Sequence, residues 1–114
     1  MPLYQLPEEP IFPLPSEAEA DGLLAFGGDL SPQRLVAAYQ NGIFPWYDSD
    51  SPEIMWWSPD PRMILYPTEF KVSKSLRQKI RRKVFEIRTD TAFEAVVEAC
   101  AKTHRPDQEG TWIT

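Results

Sequence analysis

Residues 31–42 read SPQRLVAAYQNG and predict the main helix in the first half of the chain. The serine hydroxyl can accept a hydrogen bond from an unpaired amide of a first helical turn, and proline at the first helical position loses no hydrogen bond there. Leu35, Ala38 and Tyr39 then recur at helical spacing, and the closing glycine suits the left-handed residue that often ends a helix. We therefore expect a helix over residues 32–41.

The segments around this helix are rich in proline and aromatic residues. Residues 1–21 contain five prolines and should run extended, while residues 22–29 form a short apolar segment that ends in a glycine turn. Residues 43–61 hold four prolines and several large aromatic rings. Because proline is excluded from helix interiors and central strands, we expect an aromatic-lined loop that packs on the helix rather than a regular element.

The aromatic rings of that loop permit two interpretations. They could stack a nucleobase or hold an apolar side chain, or they could fill a small, proline-rich core. We expect core positions for most of them, because Trp and Phe are mainly interior residues. Trp46 is the exception, since it lies between a proline and an acidic loop and could form the rim of a pocket. The rings are those of Phe44, Trp46, Tyr47, Trp56 and Trp57.

The second half of the chain is expected to alternate strands and helices. Residues 63–66 and 84–89 are predicted strands, and Ser73 is the predicted cap of a second helix. A capping box over residues 91–94 is predicted to open a third helix, which ends near Thr103. The predicted buried stripe of the third helix is Phe93, Val96, Val97, Cys100 and Ala101.

Charge is distributed unevenly along the chain. Residues 1–61 contain ten acidic residues and one basic residue, whereas residues 62–114 contain eleven basic and seven acidic residues. Seven of the bases fall within residues 71–83, where no acidic residue occurs. Because like charges one helical turn apart destabilise a helix, this concentration favours a surface that faces a polyanion such as RNA. The alternative is a solvated helix face that is balanced by the acidic half of the same chain.

Several other functional classes have little support in the sequence. Cys100 is the single cysteine, so no intrachain disulfide can form, and together with His104 it leaves too few ligands for a structural zinc site. No apolar run approaches the roughly 18 residues of a membrane span, and the first residues do not resemble a secretory signal. Residues 27–29 lack the spacing of a phosphate-binding loop. We therefore expect a cytoplasmic protein without a metal or cofactor and without contact with a membrane.

Several strings of the sequence occur together in one known family. They are GLLAFGGDLSP at residues 22–32, GIFPWY at 42–47, WWSPDPR at 56–62 and GTWIT at 110–114. In this order they closely resemble the bacterial leucyl/phenylalanyl-tRNA–protein transferase family, and the match covers nearly the whole chain after the first dozen residues.

The resemblance implies an α+β fold in two parts. Residues 1–61 would form the small N-terminal domain of the family, with one main helix. Residues 62–114 would begin an N-acetyltransferase-like (GNAT) domain with its first strand, helix, strand and helix. Family members are longer than this chain, so we expect an N-terminal portion whose second domain is truncated.

The resemblance also implies an enzyme, an aminoacyltransferase. It would move Leu or Phe from aminoacyl-tRNA to the N-terminal Lys or Arg of acceptor proteins, which marks them for N-end-rule degradation. The partners would be Leu-tRNA, Phe-tRNA and those acceptor proteins, and the protein would act as a monomer.

Individual residues match the family's binding sites. Trp46 and Trp112 fall on the tryptophans that bind the 3′-terminal aminoacyl-adenosine. The catalytic groups, and the pocket that selects the Leu or Phe side chain, are expected beyond Thr114, so the 114-residue chain alone is predicted to be inactive. The residues that fall on the basic cluster for the tRNA acceptor stem are Lys74, Arg77, Arg81 and Arg82.

Two alternatives belong to other functional classes. An acyl-CoA-dependent N-acetyltransferase would need a pyrophosphate-binding backbone loop, and none is visible through Thr114. A non-enzymatic RNA-binding module built on the basic helix would bind charged and uncharged tRNA equally, because it would lack an aminoacyl pocket.

Overall fold

The computed structural model describes residues 3–111 and 113 and divides the chain into two compact units, residues 1–63 and 64–114. Three helices and four strands among these described residues make it an α+β protein. Short 3-10 turns occupy Pro15–Glu17 and Pro67–Glu69. The elements are β1 Tyr4–Leu6, β2 Leu23–Gly27, α1 Pro32–Gln40, β3 Phe44–Pro45, β4 Met55–Trp57, α2 Lys74–Arg81 and α3 Phe93–Lys102.

The first unit is built around a mixed sheet with the strand order β1-β2-β4-β3. β1 runs parallel to β2, whereas β4 pairs antiparallel with both β2 and β3. Pro45 lies in the edge strand opposite Trp56, where its missing N–H leaves no gap in the sheet. The buried core comprises Leu6, Leu24, Ala25, Ala38, Ile43 and Trp56.

The main helix begins and ends as the sequence predicts. The Ser31 hydroxyl accepts a hydrogen bond from the backbone N–H of Arg34 at 3.2 Å, and proline occupies the first turn. The helix ends at Gln40, and Gly42 follows in the left-handed conformation with φ of +71°. The predicted helix over residues 32–41 is therefore confirmed to within one residue.

The carboxyl of Asp29 gives the start of α1 a dependence on pH. Hydrogen bonding by Ser31, chiefly through its side chain, holds the pKa of Asp29 below its ordinary value of 3.8, and the charge of Arg34 adds to the effect. Such a carboxyl contributes stability above the pKa that it has in the unfolded chain, and the contribution is lost as the pH falls through its folded pKa. We therefore expect Asp29→Asn to be less stable than the wild type at pH 7, with the difference shrinking below about pH 4. Thermal unfolding from pH 7 to pH 2 measures this, and a difference that stays constant over that range would contradict it.

The predicted loop over residues 43–61 is wrong, because this segment contributes β3 and β4 to the sheet. The prolines and the large aromatic rings of this segment led to that expectation. One of the four prolines lies in the edge strand, and the other three lie outside both strands. The strands form because β4 pairs with β2 on one side and with β3 on the other. Local sequence patterns do not show which distant segments will pair in this way.

The second unit has the predicted helices but lacks the predicted strands. Ser73 caps α2, as predicted, by accepting a hydrogen bond from the backbone N–H of Leu76 at 3.2 Å. Residues 63–66 and 84–89 form no strand, so the predicted strand–helix–strand–helix order is wrong in this respect. A strand needs a neighbour for its N–H and C=O groups, and no described segment pairs with either one.

Two predictions about α3 are also wrong. Its N-cap is Ala92 rather than Thr91, which the predicted capping box requires, and no side chain caps the helix. The predicted buried stripe is largely exposed, with Phe93 71% and Val96 58% accessible, because no apolar layer among the described residues covers it. The predicted end near Thr103 is confirmed, since that residue is the C-cap.

Among the residues that the structure describes, no helix is both long and apolar enough to cross a membrane. The same residues contain no group of three or more His, Cys, Asp or Glu side chains that could hold a metal ion.

Candidate nucleic-acid interface

The β3–β4 hairpin presents the ring of Trp46. The backbone N–H of Trp46 donates to the carbonyl of Met55 at 2.9 Å, and its own carbonyl accepts a bond from the indole N–H of Trp57 at 2.8 Å. The side chain is nevertheless 54% exposed. A planar ring is thus held on a fixed backbone where solvent or a ligand reaches it.

The neighbouring aromatic rings divide between the core and the surface. Trp56 is fully buried, donates its indole N–H to the carbonyl of Gly27 at 2.9 Å, and meets the ring of Phe12 edge to face at 5.0 Å. Phe44 and Trp57 are partly buried. The expectation that most of these rings fill the core therefore applies fully to Trp56 alone.

Arg62 packs against the same hairpin. Its guanidinium lies over the ring of Phe44, with Cζ 5.9 Å from the ring centroid. It donates to the carbonyls of Gly42 and Pro59 and to the hydroxyl of Ser58. No role for Arg62 was predicted from the sequence, although it is one of only two bases in residues 1–63 and ends the WWSPDPR string.

The bases of α2 form one continuous face. Lys74, Arg77 and Arg81 are spaced by three and four residues, so they lie within about 60° of one another around the helix axis. All three are exposed, and Arg82 follows as an exposed C-cap residue. Leu76 and Ile80 lie beside this face of the helix, about 100° and 60° from Arg77 around the axis.

The basic face of α2, defined as Lys74, Arg77 and Arg81, has no carboxylate partner among the described residues. Exposed bases without carboxylate partners fit a surface that faces a polyanion, and they also fit the alternative of a solvated helix face. The ion pairs found in the described part of the chain are Arg34–Asp29, Arg88–Glu86 and Lys102–Glu98.

Two family models match consecutive parts of this chain. Residues 28–60 match the leucyl/phenylalanyl-tRNA protein transferase N-terminal domain, and residues 64–114 match the leucyl/phenylalanyl-tRNA protein transferase model. The chain belongs to the leucyl/phenylalanyl-tRNA–protein transferase family. The predicted family resemblance is confirmed.

Relatives of this transferase family cover the chain from end to end. It is 60% identical over 113 residues to the leucyl/phenylalanyl-tRNA–protein transferase of Oleidesulfovibrio alaskensis. The aligned region covers 99% of this chain and 45% of that protein. It is 55% identical over 114 residues to the protein of the same name from Anaeromyxobacter sp. (strain K), and this alignment covers 100% of this chain and 48% of that protein. The chain thus spans about half the length of these curated relatives.

The transferase family models place the two candidate binding features in different matched segments. Trp46 lies in the segment matched by the N-terminal domain model, and the basic face of α2 lies in the segment matched by the transferase model. Trp112, the second tryptophan predicted to bind the aminoacyl-adenosine, lies outside the described residues.

Arg34 is a second residue with a role that was not predicted from the sequence. It is fully buried on α1, and its guanidinium donates to the carbonyls of Pro7, Glu8 and Ile11. Its position four residues before the buried Ala38 was a usable signal, because residues at that spacing share a helix face. Arg34 holds the chain before β2 against α1 and so supports the unit that carries the hairpin.

Proposed function

We propose that this protein takes part in moving Leu or Phe from aminoacyl-tRNA to the N-terminal Lys or Arg of acceptor proteins, and so marks them for N-end-rule degradation. The observation that carries the proposal is the match of both units to consecutive models of one transferase family. A cytoplasmic location and a monomeric state belong to the same proposal.

The basic face of α2, together with Arg82, supplies the affinity for the tRNA acceptor stem in this proposal. Basic side chains that neutralise phosphates release counterions, which strengthens binding without reading sequence. A surface of this kind suits an enzyme that must accept more than one tRNA. The exposure of these side chains and the lack of carboxylate partners among the described residues support the assignment.

Trp46 binds the 3′-terminal adenosine of the tRNA in the same proposal, with Trp112 as a second contact. Stacking of a base on an aromatic side chain contributes about 1–3 kcal/mol. The two backbone hydrogen bonds of Trp46 fix its main chain before the ligand arrives. Stacking on this ring therefore orders only its side chain and no backbone.

The reaction makes modest chemical demands on the protein. The amino group of the acceptor attacks the ester carbonyl of the aminoacyl-tRNA, an amide bond forms, and the ester bond to the terminal ribose breaks. The amine loses a proton, and the ribose oxygen gains one. Orientation of the ester, help with deprotonation and stabilisation of the developing charge are the main requirements. The residues assigned here bind and orient the donor, and the catalytic groups are proposed to lie beyond Thr114.

The domain arrangement remains part of the proposal. Residues 1–61 are proposed as the N-terminal domain and residues 62–114 as the start of a GNAT-like domain, to which α2 and α3 would contribute two helices. The division of the chain at residues 63 and 64 is compatible with this arrangement.

Aminoacyl transfer itself is tested with a chimera. This chain is joined to the part of the Oleidesulfovibrio alaskensis relative that it does not cover, and transfer of labelled Leu from Leu-tRNA to a peptide with N-terminal Arg is measured. Transfer by the chimera supports the proposal. Transfer of an acetyl group from acetyl-CoA instead would favour the N-acetyltransferase alternative, and equal binding of charged and uncharged tRNA without transfer would favour the RNA-binding module.

The stacking role of Trp46 gives a prediction for binding by the 114-residue chain. Trp46→Ala should weaken binding of an acceptor-stem minihelix that ends in CCA by about 5- to 150-fold, which is the loss of one base–aromatic stack. Trp46→Phe should retain part of the affinity. The matched control is Tyr39→Ala, which removes another exposed ring from the same unit and should change nothing. A minihelix that lacks the terminal adenosine should bind wild type and Trp46→Ala equally, and a difference there would contradict the assignment.

A further inference from the structure

We propose that Arg62 binds the 5′-phosphate of the nucleotide whose base stacks on Trp46. The ligand class is a 5′-phosphorylated adenosine at the 3′ end of an RNA strand. This inference rests on the proposed function, because it requires a nucleotide at Trp46, and it adds an anion subsite to that position.

The guanidinium of Arg62 is held in place before any ligand binds. Its Nε donates to the carbonyl of Pro59 at 3.2 Å, and one terminal nitrogen donates to the carbonyl of Gly42 and to the hydroxyl of Ser58. These bonds use three of the five N–H groups of the side chain. No described residue accepts a bond from the other terminal nitrogen, so two N–H groups remain for a ligand.

The charge of Arg62 is not neutralised by its partners. Its hydrogen bonds go to two carbonyls and a hydroxyl, and no carboxylate among the described residues lies within ion-pair distance. Residues 1–63 contain ten acidic residues, and the only other base is Arg34, which is fully buried. An acidic unit repels RNA on average, so an accessible cation in it marks the place where a phosphate can approach.

Arg62 and Trp46 are placed so that one nucleotide could contact Trp46 with its base and Arg62 with its phosphate. Pro45 pairs with Trp56, which is buried in the core, so the residues on either side of Pro45 project from the opposite face of the strand. Phe44 and Trp46 therefore share the open face and are about 6.6 Å apart along the strand. Arg62 lies over Phe44. A base on Trp46 would thus place its own phosphate group near the guanidinium.

The side-chain chemistry of Arg62 also suits a phosphate ligand. A guanidinium presents N–H groups in a planar fork that matches phosphate oxygens, and charge-assisted bonds of this kind are stronger than neutral ones. The competing explanation is that Arg62 only ties the chain around Pro59 to Gly42. That structural role predicts no preference for a phosphorylated ligand, which makes the two explanations separable.

The test compares adenosine with adenosine 5′-monophosphate on the 114-residue chain, with binding followed through the indole NMR signal of Trp46. We expect the monophosphate to bind about five- to tenfold more tightly at low salt, and this preference should fall as salt is raised. Arg62→Gln should reduce monophosphate binding to the level of adenosine and leave adenosine binding unchanged. The matched control is Arg88→Gln, which removes an exposed arginine of the other unit and should change neither ligand.

The outcomes separate the inference from the proposed function. If adenosine binds at Trp46 and the monophosphate binds no better, the inference is overturned and the stacking site stands. If neither ligand perturbs Trp46, both are overturned. If Arg62→Gln weakens both ligands equally, Arg62 has only a structural role and the inference is again overturned. Should Arg62→Gln fail to fold, the wild-type preference, its salt dependence and the charge-retaining Arg62→Lys still decide the question.

Discussion

Replacing Arg34 with methionine is expected to lower the free energy of unfolding of residues 1–63 by about 2–4 kcal/mol. Methionine is unbranched and fills a similar space, so the change removes donors and charge more than volume. The carbonyls of Pro7, Glu8 and Ile11 would lose their partner, the shortest of these bonds being 2.6 Å to Pro7. Hydrogen bonds to a charged donor are worth roughly 1.5–3 kcal/mol each, and the carbonyls regain part of that by hydration.

The surroundings of Arg34 show why the loss should not be fully recovered. Its Cζ lies 5.7 Å from the centroid of the Phe12 ring, and a Cβ built at Gly28 would come within 3.1 Å of Cζ. The guanidinium is therefore packed between an aromatic ring and the backbone. Its Nε has no hydrogen-bond partner among the described residues, and the nearest carboxylate oxygen, on Asp29, is 3.8 Å away. Removing the buried charge also recovers some desolvation free energy, so the loss of stability stays below the sum of three hydrogen bonds.

Urea unfolding followed by tryptophan fluorescence measures the effect of Arg34→Met. Trp56 reports on the first unit, because it is buried and contacts Phe12. Arg34→Lys is the matched control, since it keeps the charge and can reach one or two of the carbonyls, and it should lose less stability. A small domain has a modest total stability, so Arg34→Met should shift the midpoint strongly. A loss below about 1 kcal/mol would mean that the three carbonyls are hydrated at little cost.

Local signals in the sequence were enough to predict the helices. Ser31 and Ser73 each accept the predicted bond from the N–H three residues later, and Gly42 takes the predicted left-handed conformation. These features involve residues within one turn of each other, so no tertiary information is needed. The failed capping box before α3 shows the limit of this approach, because a matching spacing does not oblige the cap to form.

Strands and buried polar residues could not be predicted in this way, because they depend on partners from distant parts of the chain. The segment around Trp56 was predicted as a loop, yet it becomes β4 because β2 and β3 lie on either side of it. Residues 84–89 have the strand pattern and no partner in the described chain, so they form no strand. Arg34 is charged and nevertheless buried, because its three acceptors come from residues more than 20 positions earlier in the chain.

The candidate site was partly predictable for the same reasons. The basic face of α2 follows from helical spacing alone, and the structure forms that helix with all three bases exposed. The exposure of Trp46 was expected from its flanking residues. Arg62 could not be linked to Trp46 from sequence, because its packing on Phe44 depends on how the hairpin meets the segment that follows β4.

Replacing Lys74, Arg77 and Arg81 with glutamine together should weaken acceptor-stem binding by about 100- to 1,000-fold at 0.1 M salt. Each phosphate contact contributes a slope of about 0.9 to the dependence of log affinity on log salt, so the triple variant should lose about 2–3 units of slope. Titration of a minihelix into the 114-residue chain at several salt concentrations measures both quantities.

Loss of folding cannot account for that result. Glutamine has a helix propensity close to those of lysine and arginine, and removing the like charges of Arg77 and Arg81 one turn apart relieves a repulsion. The variant should therefore keep or gain helix content. The matched control carries glutamine at Lys79, Lys83 and Arg88, which removes the same net charge from positions off this face, and it should lose much less affinity and slope. Equal losses in the two variants would mean that the net charge of the second unit, rather than the basic face of α2, attracts the RNA.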